Sequence, residues 1–257
     1  EKPLWKQIGS IAVTVGPGLE PALWAGIEFA KALRKTWRKP LVGTSHLEGH
    51  LYSFLLSQKT KKTLDPKYAL PAIALIVSGG HTILLRMKSL KEWQKLGETR
   101  DDAVGEAFDK VARLLDLPYP GGPQLEKLAL SLPKGEAPSI NFPRPMMHTK
   151  DYDFSFSGLK TSVLYHLRDN PNSKKADVAA SFQKAAVDVL VKKAADAART
   201  YNTKSIILSG GVAANKLLRK ELAHAARKLK IKFFVPDFVY NTDNAAMIAE
   251  AGYFTMI

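Results

Sequence analysis

The chain has 257 residues, 46% of them hydrophobic and 24% charged, so it can bury the core of one large domain or two smaller ones. It has no cysteine, which excludes disulfides and thiolate metal sites and fits a reducing cytoplasm. Its apolar runs are far shorter than the ~20 residues that span a bilayer. The net charge of +14 indicates either a polyanionic partner, nucleic acid ahead of a membrane surface, or simply a basic surface.

The start of the chain predicts alternating strands and helices. The β-branched and apolar residues 10–15 predict a buried strand, and apolar spacing predicts a helix over residues 21–34. Residues 40–43 predict a second strand, and Thr44 or Ser45 can cap the helix that follows it. This order of elements is typical of an α/β fold.

The helix after the second strand carries a histidine pair. His46 and His50 are four residues apart, so on a helix both can point at one metal ion. Glu48 is not in the register of the H-E-x-x-H motif, which excludes a zincin. Because a catalytic metal usually has three protein ligands, the third must come from elsewhere in the chain. Gly49 between the histidines lowers helix stability by about 1 kcal/mol relative to alanine.

A β-hairpin is predicted in the middle of the chain. The polar residues 58–67 predict a linker or an exposed turn, and residues 68–77 predict a strand. The turn at residues 78–82 is rich in glycine and leads into a strand over residues 83–87. Backbone N–H groups in such a turn can bind a phosphate.

The remaining elements alternate again between helix and strand. Apolar periodicity predicts helices, and short apolar runs predict strands. A tight turn is predicted at residues 119–123, and residues 132–157 predict an ordered loop with a short strand. Helices are predicted over residues 101–115, 176–198 and 216–229, and strands over residues 205–208 and 231–235.

Two Ser-Gly-Gly sequences each follow a predicted strand. They begin at Ser78 and Ser209 and are the nearest feature to an internal repeat. Neither matches the Walker pattern. Each alone is a weak signal of phosphate binding, because most Gly-Gly turns only require positive φ. Together they suggest a nucleotide held between the two turns.

Asp243 begins the last helical pattern and allows two interpretations. An aspartate in this position is commonly an N-cap, and this is the interpretation that the residues alone favour. The alternative is that Asp243 supplies the metal ligand missing from the histidine pair.

Eight motifs carry a resemblance to one known family. The chain resembles the TsaD/Kae/Gcp family of tRNA threonylcarbamoyladenosine biosynthesis proteins, formerly described as O-sialoglycoprotein endopeptidases. The resemblance extends from about Ile8 to the C-terminus. The motifs occur in the family's order at residues 15–19, 46–50, 77–82, 105–110, 119–123, 154–161, 209–215 and 242–246.

The resemblance implies an α/β fold of the actin, Hsp70 and sugar-kinase (ASKHA) type, with two ribonuclease-H-like lobes. The first lobe would comprise residues 1–67 plus 245–257, and the second residues 68–244, with the adenylate-binding turns and a helical insert. Family members begin with further strands, so the first lobe is expected to be incomplete and to have an exposed sheet edge.

The resemblance also implies two sets of site residues. His46, His50 and Asp243 would bind one metal ion, iron(II) or zinc, which reverses the preference for Asp243 as a cap. The adenylate would be held by a larger set in the second lobe. Its members are Val77, Ser78, Gly79, Gly80, His81, Asp109, Gly122, Glu126 and Asn215.

The implied reaction transfers the threonylcarbamoyl group of threonylcarbamoyl-AMP to N6 of the adenosine 3′ of the anticodon, in tRNAs reading ANN codons. The implied partners are tRNA, the threonylcarbamoyl-AMP synthase and TsaB- and TsaE-like accessory proteins, in the cytoplasm and without a membrane. One alternative is a non-catalytic or truncated partner of the tRNA modification complex. A metalloendopeptidase is a weaker alternative, because the glutamate register is wrong.

Overall fold

The computed structural model describes residues 3–56, 68–133 and 135–256. These residues form two compact units, one of residues 3–56 and 236–256 and the other of residues 68–133 and 135–235. The first unit thus takes up residues 236–244, which the sequence-based division gave to the second lobe. The predicted linker at residues 58–67 lies outside the described residues.

Helices and strands alternate along much of the described chain. The helices are α1 (Leu4–Gln7), α2 (Glu20–Trp37), α3 (His46–Tyr52), α4 (Val104–Leu114), α5 (Gly121–Ala129), α6 (Ser157–Asp169), α7 (Lys175–Thr200), α8 (Lys216–Lys228) and α9 (Ala245–Met256). The strands are β1 (Ile11–Gly16), β2 (Leu41–Ser45), β3 (Ala72–Val77), β4 (Thr82–Met87), β5 (Trp93–Glu98), β6 (Ser205–Ser209) and β7 (Lys232–Phe234).

The first unit contains a parallel pair of strands covered by α9. β1 pairs with β2 from Ile11 opposite Leu41 to Thr14 opposite Thr44. Helix α9 packs closely on β1 at Gly252, where an added Cβ would lie 2.6 Å from the Cβ of Ala12. Glycine is therefore required at this contact for steric reasons.

The second unit is built on a five-stranded sheet of order β5-β4-β3-β6-β7. β3, β6 and β7 are parallel, whereas β4 and β5 extend the sheet as antiparallel strands. All residues of β3 and β6 are buried, and both strands are largely apolar, as expected for the centre of a parallel sheet covered on both faces.

Most of the predicted elements are present, but helices α1, α5 and α6 and strand β5 were not predicted. Strand β5 was not predicted because its sequence, WQKLGE, is largely polar, which suits an edge strand. Helix α5 begins within the predicted tight turn at residues 119–123, and α6 directly follows the predicted loop. The expected cap of α3 is also wrong, because Ser45 makes no side-chain capping bond and the Thr44 hydroxyl donates to Val13 O.

Helix α6 begins where a distant carboxylate binds its first turn. Asp101 accepts hydrogen bonds from the backbone N–H of Phe156 at 2.8 Å and of Ser157 at 3.2 Å. It also accepts from the hydroxyls of Ser155 and Ser157. Burial alone raises the pKa of Asp101, but the hydrogen bonds from these two serines and the two N–H groups outweigh it and lower the pKa.

We expect the substitution Asp101→Ala to lower the free energy of unfolding by about 2 kcal/mol at neutral pH, because four donors lose their acceptor. Since folding lowers the pKa of Asp101 below its usual value of 3.8, the carboxylate stabilises the fold above that pH and loses its effect as pH falls through the folded pKa. Urea unfolding as a function of pH measures this difference. If wild type and variant differ in unfolding free energy by the same amount in acid, the negative charge of Asp101 does not have this role.

Candidate metal centre and glycine-rich turns

The histidine pair lies in α3, directly after β2. The His46 and His50 rings are T-shaped, with centroids 4.8 Å apart, as expected for residues one helical turn apart. The His50 side chain is 2% exposed and the His46 side chain 21% exposed. The two imidazoles therefore lie on one face of α3, as predicted.

Asp243 lies next to both imidazoles. Its Oδ1 atom is 3.3 Å from His46 Nε2 and 3.2 Å from His50 Nε2. Ligands about 2.0–2.1 Å from a tetrahedral ion are about 3.3–3.4 Å from each other. The two distances to Asp243 fit this spacing, and all three ligand atoms lie within 4.8 Å of one another. The Asp243 side chain is 73% exposed, which leaves the outer side of this cluster accessible.

The interpretation of Asp243 as an N-cap is wrong, because the neighbouring residue has that role. Asn244 Oδ1 accepts a hydrogen bond from the backbone N–H of Met247 at 2.9 Å, the usual contact of an N-cap with the third helical residue. The Asp243 carboxylate therefore does not cap α9 and instead lies beside the histidines.

Gly49 brings α3 close to α9. A Cβ at Gly49 would lie 2.9 Å from Ile248 Cδ1 and 3.2 Å from Met247 Cγ. The glycine that weakens α3 as an isolated helix therefore permits tight packing against the helix that follows Asp243. This packing places the histidines and the aspartate, which are far apart in sequence, in contact.

The predicted hairpin turn is present in the second unit. Val77 pairs with Thr82, and Ser78 N–H donates to His81 O at 2.8 Å. Ser78 Oγ accepts from His81 N–H at 3.0 Å. Gly79 and Gly80 are exposed, and a Cβ at either would meet no atom within 4 Å. Packing within the described chain therefore does not require glycine at these two positions. Their backbone is open to close approach by a ligand.

The second Ser-Gly-Gly turn lies beside the first. β3 and β6 are parallel neighbours, with Ile76 opposite Ser209, so both turns leave the same edge of the sheet. Gly210 has φ +89°, and a Cβ there would lie 2.4 Å from Val77 O. Only glycine fits this contact, which holds the second turn against the end of β3.

Asp109 connects α4 to the start of α5. Its Oδ1 atom accepts hydrogen bonds from the N–H groups of Gly121 at 2.8 Å and Gly122 at 3.2 Å. A Cβ at Gly121 would lie 2.5 Å from the Cβ of Ala112, whereas one at Gly122 would meet nothing within 4 Å. Gly121 thus serves helix packing, and Gly122 leaves the first turn of α5 open.

Glu126 and Asn215 both bind the start of α8. Asn215 Oδ1 accepts from Leu218 N–H at 2.9 Å, and its Nδ2 donates to Gln183 Oε1 at 2.8 Å. Glu126 Oε1 accepts from Lys216 N–H at 2.6 Å. The structure therefore brings Glu126 and Asn215 together at one helix terminus.

Gly105 is a residue of this site to which the sequence analysis gave no role. Its N–H donates to Ser78 O at 3.2 Å, and a Cβ there would lie 2.5 Å from the same oxygen. The backbone N–H of Val104 donates to Thr82 Oγ1 at 2.8 Å. The first turn of α4 is thus fixed against the hairpin turn. In the sequence, this contact could have been recognised only from the glycine near the start of the helix predicted over residues 101–115.

Lys160 lies in α6, close to Asp102. Its Nζ atom is 3.1 Å from Asp102 Oδ2, and Lys110 Nζ is 2.7 Å from Asp102 Oδ1. Burial raises the pKa of Asp102, but the two lysines outweigh it and lower the pKa. Lys160 therefore makes an internal ion pair.

The fold defines the class of protein. The structure is similar to HypF of T. kodakarensis, with a TM-score of 0.67 and 16% identity, over 96% of this chain and 40% of that one. It is also similar to the 2-hydroxyisocaproyl-CoA dehydratase activator of Clostridium difficile, with a TM-score of 0.50 and 15% identity, over 93% and 82% of the two chains. The chain therefore has the ASKHA-type α/β fold expected from its sequence.

Sequence comparison then gives the family. A family model described as TsaD, tRNA N6-adenosine threonylcarbamoyltransferase, matches residues 4–250. A protein of that name from Thermosipho africanus is 51% identical, over 96% of this chain and 72% of the relative. Another from Moorella thermoacetica is 48% identical, over 97% and 71%. The chain belongs to the TsaD family. Among the described residues, no helix is long and apolar enough to cross a membrane.

We expect His46→Ala and His50→Ala to lose bound metal, because each removes one of three ligand atoms that lie within 4.8 Å of one another. The measurement is metal content per purified chain by mass spectrometry. His148→Ala, a change at an exposed histidine, is the control and should keep the wild-type content. Full metal content in both α3 variants would exclude this site.

Proposed function

We propose that this chain transfers the threonylcarbamoyl group of threonylcarbamoyl-AMP to N6 of the adenosine 3′ of the anticodon, in tRNAs reading ANN codons. The observation that carries the proposal is the family match over residues 4–250, which includes both candidate sites. The relatives' name specifies the transfer to adenosine N6 of tRNA. The net charge of +14 is consistent with an RNA substrate.

His46, His50 and Asp243 are proposed to hold one divalent ion, zinc or iron(II). Two imidazole nitrogens and one carboxylate oxygen suit both ions, and the distances of both imidazoles from Asp243 match those of shared ligands. When bound, such an ion supplies a Lewis acid and a template for oxygen ligands. The exposed side of Asp243 leaves room for a substrate oxygen.

The turn residues Val77, Ser78, Gly79, Gly80 and His81 are proposed to bind the adenylate. Open glycine backbone allows a phosphate to approach closely, and backbone N–H groups stabilise negative charge on the phosphate as it leaves. The solved activator of similar fold carries bound ADPNP, which supports nucleotide binding by this fold.

Asp109, Gly122, Glu126 and Asn215 complete the proposed adenylate site. Asp109 fixes the first turn of α5 at Gly122, and Asn215 fixes the start of α8, so that two helix N-termini, which favour anions, are held in position. Because the amine of adenine is a weak nucleophile, fixing the two substrates in position should supply much of the rate.

The proposal extends to partners and location. A synthase must supply threonylcarbamoyl-AMP, and TsaB- and TsaE-like proteins are the proposed accessory partners in the cytoplasm. A non-catalytic partner of the tRNA modification complex would bind the other proteins without binding the adenylate. Adenylate binding therefore distinguishes a catalytic chain from a non-catalytic partner.

The substitution Gly80→Ala should weaken AMP binding about tenfold without destabilising the protein. The added Cβ meets no atom of the described chain but occupies the approach of a ligand to the turn. The free energy of unfolding should be unchanged or raised by up to about 1 kcal/mol, because alanine restricts the unfolded chain. Calorimetric titration with AMP and urea unfolding measure the two effects.

Gly105→Ala is the contrasting variant for this test. Its Cβ would collide with Ser78 O, so it should destabilise the protein by about 1–3 kcal/mol and disturb the same turn from within. Wild-type AMP affinity in Gly80→Ala would contradict the proposed role of the turn.

Nucleoside mass spectrometry tests the reaction itself. Unmodified tRNA, ATP, threonine, bicarbonate, the synthase and the accessory proteins are incubated with this chain, and threonylcarbamoyladenosine is measured. His50→Ala should reduce the product on the order of 100-fold, because the proposed metal is lost, whereas His148→Ala should not. The Thermosipho africanus relative is the positive control, and product from it but none from this chain would exclude catalysis by this chain.

A further inference from the structure

Positive charge is concentrated in one part of the second unit. Residues 201–235 contain eight lysines and arginines, and Glu221 is the only acidic residue among them. This segment thus carries a net charge of +7, half of the +14 of the whole chain.

Helix α8 displays this charge along one face. Lys216, Lys220, His224 and Lys228 recur every four residues, Arg227 lies beside them, and all five are exposed. Residues at this spacing form a line on a helix surface, about 18 Å long over twelve residues. We name Lys216, Lys220, Arg227 and Lys228 the basic stripe.

The basic stripe differs from the other lysine-rich helix of this unit. On α7, Lys184 pairs with Asp188 at 3.0 Å and Lys192 with Asp196 at 2.6 Å. Within the part of the chain that the structure describes, no carboxylate forms an ion pair with a member of the basic stripe. Among the described residues, the charge of the basic stripe is therefore not neutralised by ion pairs, which is typical of a surface that binds anions.

The basic stripe leads towards a groove at the amino ends of the central strands. The groove has a volume of about 510 Å³, and its lining includes Tyr68, Asn202, Lys204, Lys230 and Lys232. Lys232 Nζ lies 5.2 Å from the centre of the Tyr68 ring, and Tyr68 is 54% exposed. An exposed aromatic ring among lysines is the combination with which proteins hold a nucleic-acid strand and stack its bases.

We propose that the basic stripe and this groove bind the phosphate backbone of RNA. The inference rests on the proposed function, which makes that RNA the tRNA substrate. This surface binds a part of the tRNA other than the reacting adenosine. A membrane surface fits less well, because a membrane-binding helix needs a free apolar face. On α8 the apolar side chains of Leu218 and Leu222 are buried in the core.

The test compares two triple variants with the same loss of charge. Lys220→Gln, Arg227→Gln and Lys228→Gln neutralise the basic stripe, and glutamine keeps the helix propensity of α8. Lys88→Gln, Lys91→Gln and Lys95→Gln form the control at exposed lysines around β4 and β5, where Lys88 and Lys95 pair with glutamates. Affinity for fluorescent tRNA is measured by anisotropy over a range of salt concentrations.

The stripe variant should bind tRNA at least about tenfold more weakly near physiological salt. The slope of log K against log salt should fall by about 2–3, since each lost phosphate contact removes about 0.7–0.9. The control should bind within about twofold of the wild type with an unchanged slope. Equal affinity of the two triple variants would overturn the proposal, as would a stripe-dependent affinity for phosphatidylserine vesicles without an effect on tRNA.

His50→Ala separates this inference from the proposed function. It should retain wild-type affinity for tRNA while losing transfer, because His50 belongs to the first unit and not to the basic stripe. Stripe-dependent tRNA binding by a wild-type chain that makes no threonylcarbamoyladenosine would contradict only the proposed function. Normal transfer and tRNA affinity in the stripe variant would contradict only the RNA-binding surface.

Discussion

The parallel pairing of β3 with β6 is the constraint on which the second unit depends. Both strands are fully buried, and with Ile76 opposite Ser209 they end at the same edge of the sheet. A shift of two residues in this register would move one Ser-Gly-Gly turn about 7 Å from the other. The close contact of Gly210 with Val77 O disfavours such a shift, because a larger residue would collide there.

Polar contacts then connect this edge to three helices. Thr82 binds the start of α4, Asp109 on α4 binds the start of α5, and Glu126 on α5 reaches the start of α8. Each contact satisfies N–H groups that a helix terminus would otherwise leave open. Asp109, Glu126 and Asn215 therefore fix helices relative to one another, in addition to any contact with a ligand.

The elements that sequence predicts correctly are those whose signals are local. The apolar runs of β3 and β6 and the i, i+4 spacing of His46 and His50 can be recognised within a few residues. The start of α6 could not be recognised, because its N–H groups bind Asp101, more than fifty residues earlier. Asp243 and Asn244 could not be distinguished either, since both residue types cap helices and only the structure assigns the cap.

The two units differ in the interactions that can stabilise each of them. Every residue of β3 is buried, whereas β1 has only partly buried and exposed residues, so burial stabilises β1 much less than β3. In the first unit, distant segments approach closely at Gly49 with Ile248 and at Gly252 with Ala12. An ion shared by α3 and Asp243 would join the same two segments, and its binding free energy would add to the folding free energy of this unit. In the first unit a bound ion would thus also be a structural crosslink, whereas the turns of the second unit follow two fully buried strands.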